Sequence, residues 1–162
     1  MEIRRIMLKY VYAKIVFREV PDEISLCIDI TNCIYHCNNC HSPELRQDIG
    51  TPLTIEELNK LIDKNKGITC VCLLGGDGNI RDINNIAQYI HTHKSNLKVC
   101  WYSGNTEISN ELNKEYFDYI KYGPYIENLG PLNCKTTNQK FLEKRGDSWI
   151  DVTYKFQGVG II

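Results

Sequence analysis

No stretch of the chain approaches the roughly 20 consecutive apolar residues that a helix needs to cross a bilayer, so no membrane partner is expected. Nor is there an excess of charge of either sign. The 19 basic side chains stand against 20 acidic ones, for a net charge of -1, and the electrostatic footprint of a polyanion binder is missing. Nucleic acid is therefore not an expected partner. The opening MEIRRIMLKYVYAKIVF is mildly basic, but lysines interrupt its apolar residues and no small-residue cleavage site follows, so no secretion signal is read there. Internal repeats, linkers and low-complexity segments are also lacking. What is left is a chain of 162 residues, 43% hydrophobic and 24% charged. That is enough for a single domain over residues 1–162 with a continuous core, and the expected location is the cytoplasm.

Against this background the eight cysteines stand out. In a secreted chain an even number would point to disulfides, but the expected compartment is reducing. Cys33, Cys37 and Cys40 crowd into eight residues. Such density is awkward for short-range disulfides and suits several thiolates converging on one metal centre.

Residues 12–18 (YAKIVFR) and 24–30 (ISLCIDI) alternate in polarity and predict two neighbouring strands. Residues 31–50, rich in Asn, Cys and His and containing Pro43, predict a long loop with one helical turn. Long loops within a domain are usually functional. Thr54 as a cap, Glu57 three residues on, and Ile55, Leu58, Leu61 and Ile62 at helical spacing predict a helix that stops near Gly67. Residues 68–74 (ITCVCLL) read as a strand covered on both faces. A helix follows over 82–93, through Ile83, Ile86, Ala87 and Ile90, and then a buried strand over 97–101. A weaker helix is predicted over 107–114, and a strand over 116–120 that ends at Gly123-Pro124. Residues 128–138 read as irregular and 150–156 as a final strand. Alternation of this kind predicts parallel strands joined by right-handed crossovers. Ligands of such folds gather at the carboxyl ends of the strands. The cysteine loop and the turns Gly75-Gly76-Asp77-Gly78, Ser103-Gly104 and Gly123-Pro124 all fall there.

The segment Cys33-Ile34-Tyr35-His36-Cys37-Asn38-Asn39-Cys40 has the spacing C-x3-C-x2-C. Three thiolates from one loop can bind three irons of a cubane, which leaves the fourth iron open to a substrate; four cysteines would suit electron transfer alone. A zinc site with His36 or His41 as fourth ligand draws on the same residues, and the motif alone leaves it open. Gly75 and Gly76 permit close backbone approach, and Asp77 can accept from an ammonium group. Ser103 and Gly104 offer a hydroxyl and exposed backbone. An ordinary turn would use the same residue types. Cys27, Cys70, Cys72 and Cys100 read as small hydrophobes on buried strands, and Cys134 lies in the irregular region. His91 and His93 fit a solvated helix end.

The three-cysteine spacing resembles the defining motif of the radical S-adenosylmethionine (SAM) superfamily. The resemblance implies a 4Fe-4S cluster on Cys33, Cys37 and Cys40, with SAM bound to the open iron through its amino and carboxylate groups. Reduction then cleaves SAM to methionine and a 5'-deoxyadenosyl radical, and no side chain serves as acid or base. Gly75, Gly76 and Asp77 stand where the family carries a GGE-type turn for the amino group, with Asp77 for the usual Glu and Gly78 for the usual Pro. Asn39 holds the position, often aromatic in the family, that contacts adenine, and Ser103 and Gly104 stand near the ribose or carboxylate.

The likeness extends further along the chain. Cys40-His41-Ser42-Pro43-Glu44-Leu45, the GGD turn, Trp101-Tyr102-Ser103-Gly104, Asp118-Tyr119-Ile120-Lys121-Tyr122-Gly123-Pro124-Tyr125 and Thr137-Asn138-Gln139 together resemble the anaerobic ribonucleoside-triphosphate reductase activating proteins. This implies an α/β fold, an incomplete TIM-type barrel of parallel strands with outer helices. It also implies a protein substrate, a glycine on the large subunit of an anaerobic ribonucleotide reductase, and an electron donor such as flavodoxin or ferredoxin. The competing expectations are a radical SAM enzyme acting on another glycyl-radical enzyme or a small molecule, and a zinc-stabilised binding module.

Overall fold

The computed structural model of the chain describes residues 7–37, 40 and 42–157. The alternation in ISLCIDI becomes strand β2 (Ser25–Ile30), in which Leu26, Ile28 and Ile30 enter one core cluster and Cys27 enters another. Period-two geometry sends these two sets to opposite faces of the sheet. Strand β1 (Lys9–Val16) pairs antiparallel with β2. It begins earlier than the pattern predicts, because the pairing shifts register between Tyr10 and Tyr12, and a bulge breaks the alternation that would mark its start. The two-residue strand β3 (Thr51–Pro52) caps the first turn of β1 from the other side.

Helix α1 (Ile55–Lys64) starts as its capping box predicts, with the Thr54 hydroxyl accepting from the Glu57 N–H at 3.0 Å. Leu58 and Leu61 are buried. The chain then turns through Gly67, at φ 91°, into strand β4 (Cys70–Leu74). Helix α2 (Ile80–His93) is capped by the Asn79 side chain, which accepts from the Asp82 N–H, and it buries Ile83, Ile86, Ala87 and Ile90. Strands β5 (Lys98–Tyr102), β6 (Tyr119–Tyr122), β7 (Lys140–Arg145) and β8 (Ser148–Asp151) complete one eight-stranded sheet of order β3-β1-β2-β4-β5-β6-β7-β8. The central strands β2, β4, β5 and β6 are mutually parallel, and the outer pairings are antiparallel.

Three sequence-based expectations are corrected. Residues 107–114 form no α-helix, and the crossover from β5 to β6 carries only a 3-10 turn over Lys114–Tyr116. Its polar side chains take the backbone donors a helix would need: Asn105 accepts from the Thr106 N–H at 2.8 Å, Ser109 from the Glu111 N–H at 3.2 Å and Asn113 from the Glu115 N–H at 3.3 Å. The strand expected over 116–120 lies later, at Tyr119–Tyr122, since Lys114–Tyr116 is spent on that turn. The expected final strand over 150–156 is instead the end of a hairpin, β7 with β8, whose two-residue loop holds Gly146 at φ 61°. Residues Thr153–Phe156 form a 3-10 turn.

Both helices contribute to the larger core cluster, on the face of the sheet that carries Leu26, Ile28, Val71, Leu73, Val99, Trp101 and Ile120. On the opposite face lies a second cluster of Cys27, Cys70, Cys72, Cys100, Tyr119 and Phe141, covered by Val20, Leu132 and Val152. Among the described residues no helix is long and apolar enough to cross a membrane.

The main core should behave as a close-packed interior. Leu58 is fully buried on α1, and Leu58→Ala is expected to cost about 2–5 kcal/mol, against about 1 kcal/mol for loss of the cap in Thr54→Ala. Urea unfolding, read as a lower midpoint at unchanged slope, checks both values.

Candidate metal centre

The cysteine loop leaves β2 through Asn32, which sits in the left-handed region at φ 62°, a conformation that Asn tolerates better than most residues. Its two ends are laced together. The Asn32 N–H donates to the Gln47 carbonyl at 3.3 Å and the Cys33 N–H to the Leu45 carbonyl at 2.9 Å. The Thr31 hydroxyl donates to the Ile49 carbonyl at 2.8 Å, and the Asn32 amide to the Asp48 carboxylate at 3.0 Å. Inside this frame the Cys40 N–H donates to the Cys37 carbonyl at 3.2 Å, which also accepts from Arg46 Nη2 at 3.0 Å.

Cys33, Cys37 and Cys40 are free, half-buried thiols. Desolvation is the main cause that lifts the Cys33 pKa, and the charges of Asp77, Cys40 and Cys37 add to it, while a backbone hydrogen bond with Tyr35 opposes it. The three thiols and Asp77 thus stand within electrostatic reach of one another. As thiolates they would repel, and a thiophilic metal or an iron–sulfur cluster is the class of partner that relieves such repulsion. The donor set therefore fits an iron–sulfur cluster. Among the described residues no three His, Cys, Asp or Glu side chains are gathered to hold a single metal ion. His36 is exposed. His41 and Asn39 lie outside the described residues.

The turn after β4 holds Gly75 at φ 103° and Gly76 at φ 90°, both in the left-handed region that favours glycine. A Cβ on Gly76 would come within 2.6 Å of Ile83 on α2. The Gly75 N–H donates to the Tyr102 carbonyl at 3.0 Å, and the Gly75 carbonyl accepts from Trp101 Nε1 at 2.7 Å. The turn is thereby fastened to β5. Asp77 completes the fastening: its carboxylate accepts from the Ser103 hydroxyl and, at 3.2 Å, from the Gly104 N–H. Burial raises the Asp77 pKa, and these two donors and the Lys121 charge hold it back.

Two glycines bring the cysteine loop down onto these turns. A Cβ on Gly104 would lie 2.8 Å from the Tyr35 ring, and one on Gly78 would lie 3.0 Å from Ile34. The structure thus brings together Cys33, Asp77, Ser103 and Gly104, with Gly75 and Gly76 in the backbone below them.

Lys121 was not among the residues singled out from the sequence. It is 8% exposed on β6, and its Nζ donates to the carbonyls of Gly123 at 2.9 Å and Ser103 at 3.3 Å. Burial pushes its pKa down to about 8, and the charges of Asp77 and Cys37 oppose that fall. The signal for it was present: a lysine interrupts a buried strand at an inward position, next but one to Tyr119. Tyr35 and Arg46, which seat the loop against Gly104 and Cys37, carry no comparable mark in the sequence.

A protein-family model described as a 4Fe-4S single cluster domain matches residues 24–148. The matched span contains the three loop cysteines, the glycine turn, Ser103-Gly104 and Lys121. No curated protein and no solved structure matches the chain.

Cluster retention checks this geometry. Cys37→Ala is expected to lose most of the iron and acid-labile sulfide taken up on anaerobic reconstitution. Gly104→Ala should retain less than the natural chain, because its methyl group strikes the Tyr35 ring, whereas Cys134→Ala should retain it fully.

Proposed function

The chain belongs to the family of 4Fe-4S single cluster domains, and from that premise we propose that it is a radical SAM enzyme, the activase of an anaerobic ribonucleoside-triphosphate reductase. It is an iron–sulfur protein by family; the assignment of SAM and of the reductase is our reading. One observation carries it: the C-x3-C-x2-C loop lies against the turns that follow the next two parallel strands, where the Asp77 carboxylate, Ser103 and Gly104 form one hydrogen-bonded unit beside Cys33. Carriage of electrons alone asks for no such polar unit next to the cluster. A bound organic molecule with an ammonium and a carboxylate does.

On this reading β2, β4, β5 and β6 are the parallel core of an incomplete radical SAM barrel, with α1 and α2 outside. Cys33, Cys37 and Cys40 would hold the cluster, and with three protein ligands it would keep a position open to SAM. The two cofactors together supply one-electron reductive cleavage of SAM and, from it, hydrogen abstraction. The protein's part is to bind and orient. Asp77 uses two of the roughly four acceptor positions of its carboxylate on Ser103 and Gly104, so it can accept from an ammonium group as well. Gly75 and Gly76 keep side chains out of the approach. The loop against which SAM would rest is pinned by Tyr35 over Gly104 and by Arg46 on the Cys37 carbonyl. No acid or base is required, so the site's work is positioning within van der Waals contact.

The substrate is a glycine of the large reductase subunit, and a flavodoxin or ferredoxin in the cytoplasm is the electron source. The family resemblance of residues 118–125 and 137–139, which end β6 and lead into β7, supports the reductase over other glycyl-radical enzymes.

The test is anaerobic reconstitution followed by dithionite and SAM. Formation of 5'-deoxyadenosine, a change in the electron paramagnetic resonance (EPR) signal of the reduced cluster on adding SAM, and a glycyl radical on the co-purified reductase are the expected results. Cys37→Ala should abolish the cleavage. A colourless, zinc-containing, inactive protein would overturn the proposal.

A further inference from the structure

Among the described residues Lys121 is a buried cation with no contact ion pair. Its ammonium donates to two backbone carbonyls, those of Ser103 and Gly123, and its Nζ lies 5.7 Å from the centre of the Tyr102 ring. Among the described residues no carboxylate is bridged to it. Asp77 is within electrostatic range, but its carboxylate is hydrogen-bonded to Ser103 and Gly104 and makes no contact pair with the Lys121 ammonium. Lysines are rarely buried unless paired, because desolvation disfavours the charge. Two carbonyls and an aromatic face offset only part of that cost, and a negative charge nearby would offset more of it.

The other group within reach is Cys37. As a ligand of iron that residue would be a thiolate. A cubane held by three thiolates carries one net negative charge when oxidised and gains a second on one-electron reduction. A cluster held there would bring negative charge within range of Lys121.

We propose that Lys121 is the electrostatic counterpart of the cluster held by Cys33, Cys37 and Cys40, and that its charge raises the cluster's reduction potential so that an external one-electron donor can reduce it. The inference rests on the reading that those cysteines bind the cluster. In the step concerned, one electron passes from a flavodoxin- or ferredoxin-type donor, which is oxidised, to the cluster, which is reduced. No bond forms or breaks, and Lys121 keeps its proton. A charge in this position acts strongly because it is withdrawn from water, where screening would weaken it. Cluster charge and solvent exposure are the levers that set such potentials. Lys121 touches no reacting atom, so it is a positioning residue, and its effect is read on the potential.

The experiment is a redox titration of the reconstituted full-length protein without SAM, followed by the EPR signal of the reduced cluster. Lys121→Met is expected to shift the midpoint to more negative potential, while Lys121→Arg stays near the natural value and the surface variant Lys60→Met leaves it unmoved. A fully loaded Lys121→Met protein that titrates at the natural potential overturns the inference, also where its affinity for SAM has fallen, since that result makes Lys121 a ligand of the substrate. Should the Met variant fail to hold the cluster, Lys121→Gln takes its place. If neither neutral variant holds a cluster that the Arg variant holds, the residue is structural and the inference fails. A natural chain that takes up no iron and sulfide refutes the reading beneath it, a result separable from all of these.

Discussion

Withdrawing a carboxylate and an ammonium from water at the end of a parallel sheet costs free energy that only hydrogen bonds and opposite charge can offset, and the site is arranged around that debt. Asp77 meets it with the Ser103 hydroxyl and the Gly104 N–H. Lys121 meets it with the carbonyls of Ser103 and Gly123. Ser103 is common to both, so the turns after β4, β5 and β6 are locked to one another by residues that would each be unfavourable alone. The cysteine loop then settles on this platform through Tyr35 against Gly104 and Ile34 against Gly78. A change of shape at any of these turns is felt by the loop.

The strands that frame the platform were legible because burial marks them. ISLCIDI and ITCVCLL show which side chains leave water, and β2 and β4 lie close to where those patterns place them. Helix α1 announced itself through a capping box that the structure contains. Strand β7 did not: past Phe141 and Leu142 it runs Glu-Lys-Arg, with side chains that carry no apolar alternation, and its place is set by pairing with β6 and β8. The false helix over 107–114 had apolar residues at the right spacing, Ile108 and Leu112, but local Ser and Asn oxygens compete for its backbone donors. Long-range pairing and short-range turn chemistry are the two influences that a periodic pattern cannot carry.

At the site the division is similar. The cysteines, the glycine turn and Ser103-Gly104 declare themselves by residue type and by position after a strand. Lys121 declares itself less, since one charge in an apolar run is as compatible with an exposed edge as with a buried cation. Only the register Tyr102↔Lys121 and the covering of that face make it internal. Tyr35 and Arg46 act through shape and one carbonyl bond, which leave no signature in composition.

The remaining cysteines sharpen the argument about metal. Cys27, Cys72 and Cys100 stand opposite one another on three adjacent strands, and Cys70 shares their face. Burial lifts the Cys100 thiol to about 11 and pushes Cys72 well up, while a hydrogen bond with Cys72, joined by burial, raises Cys27. These thiols are held neutral, and a neutral thiol is a poor ligand. The loop cysteines are half-buried beyond the end of β2, with Arg46 on the Cys37 carbonyl and the buried Lys121 ammonium within electrostatic range of Cys37. The loop sulfurs therefore lie where a metal can reach them, and those of the sheet interior do not. Thiols of the same intrinsic chemistry, four on the sheet face and three in the loop, are thereby sorted into packing and ligation by burial. This is why iron supplied to the chain should find the loop and not the sheet face.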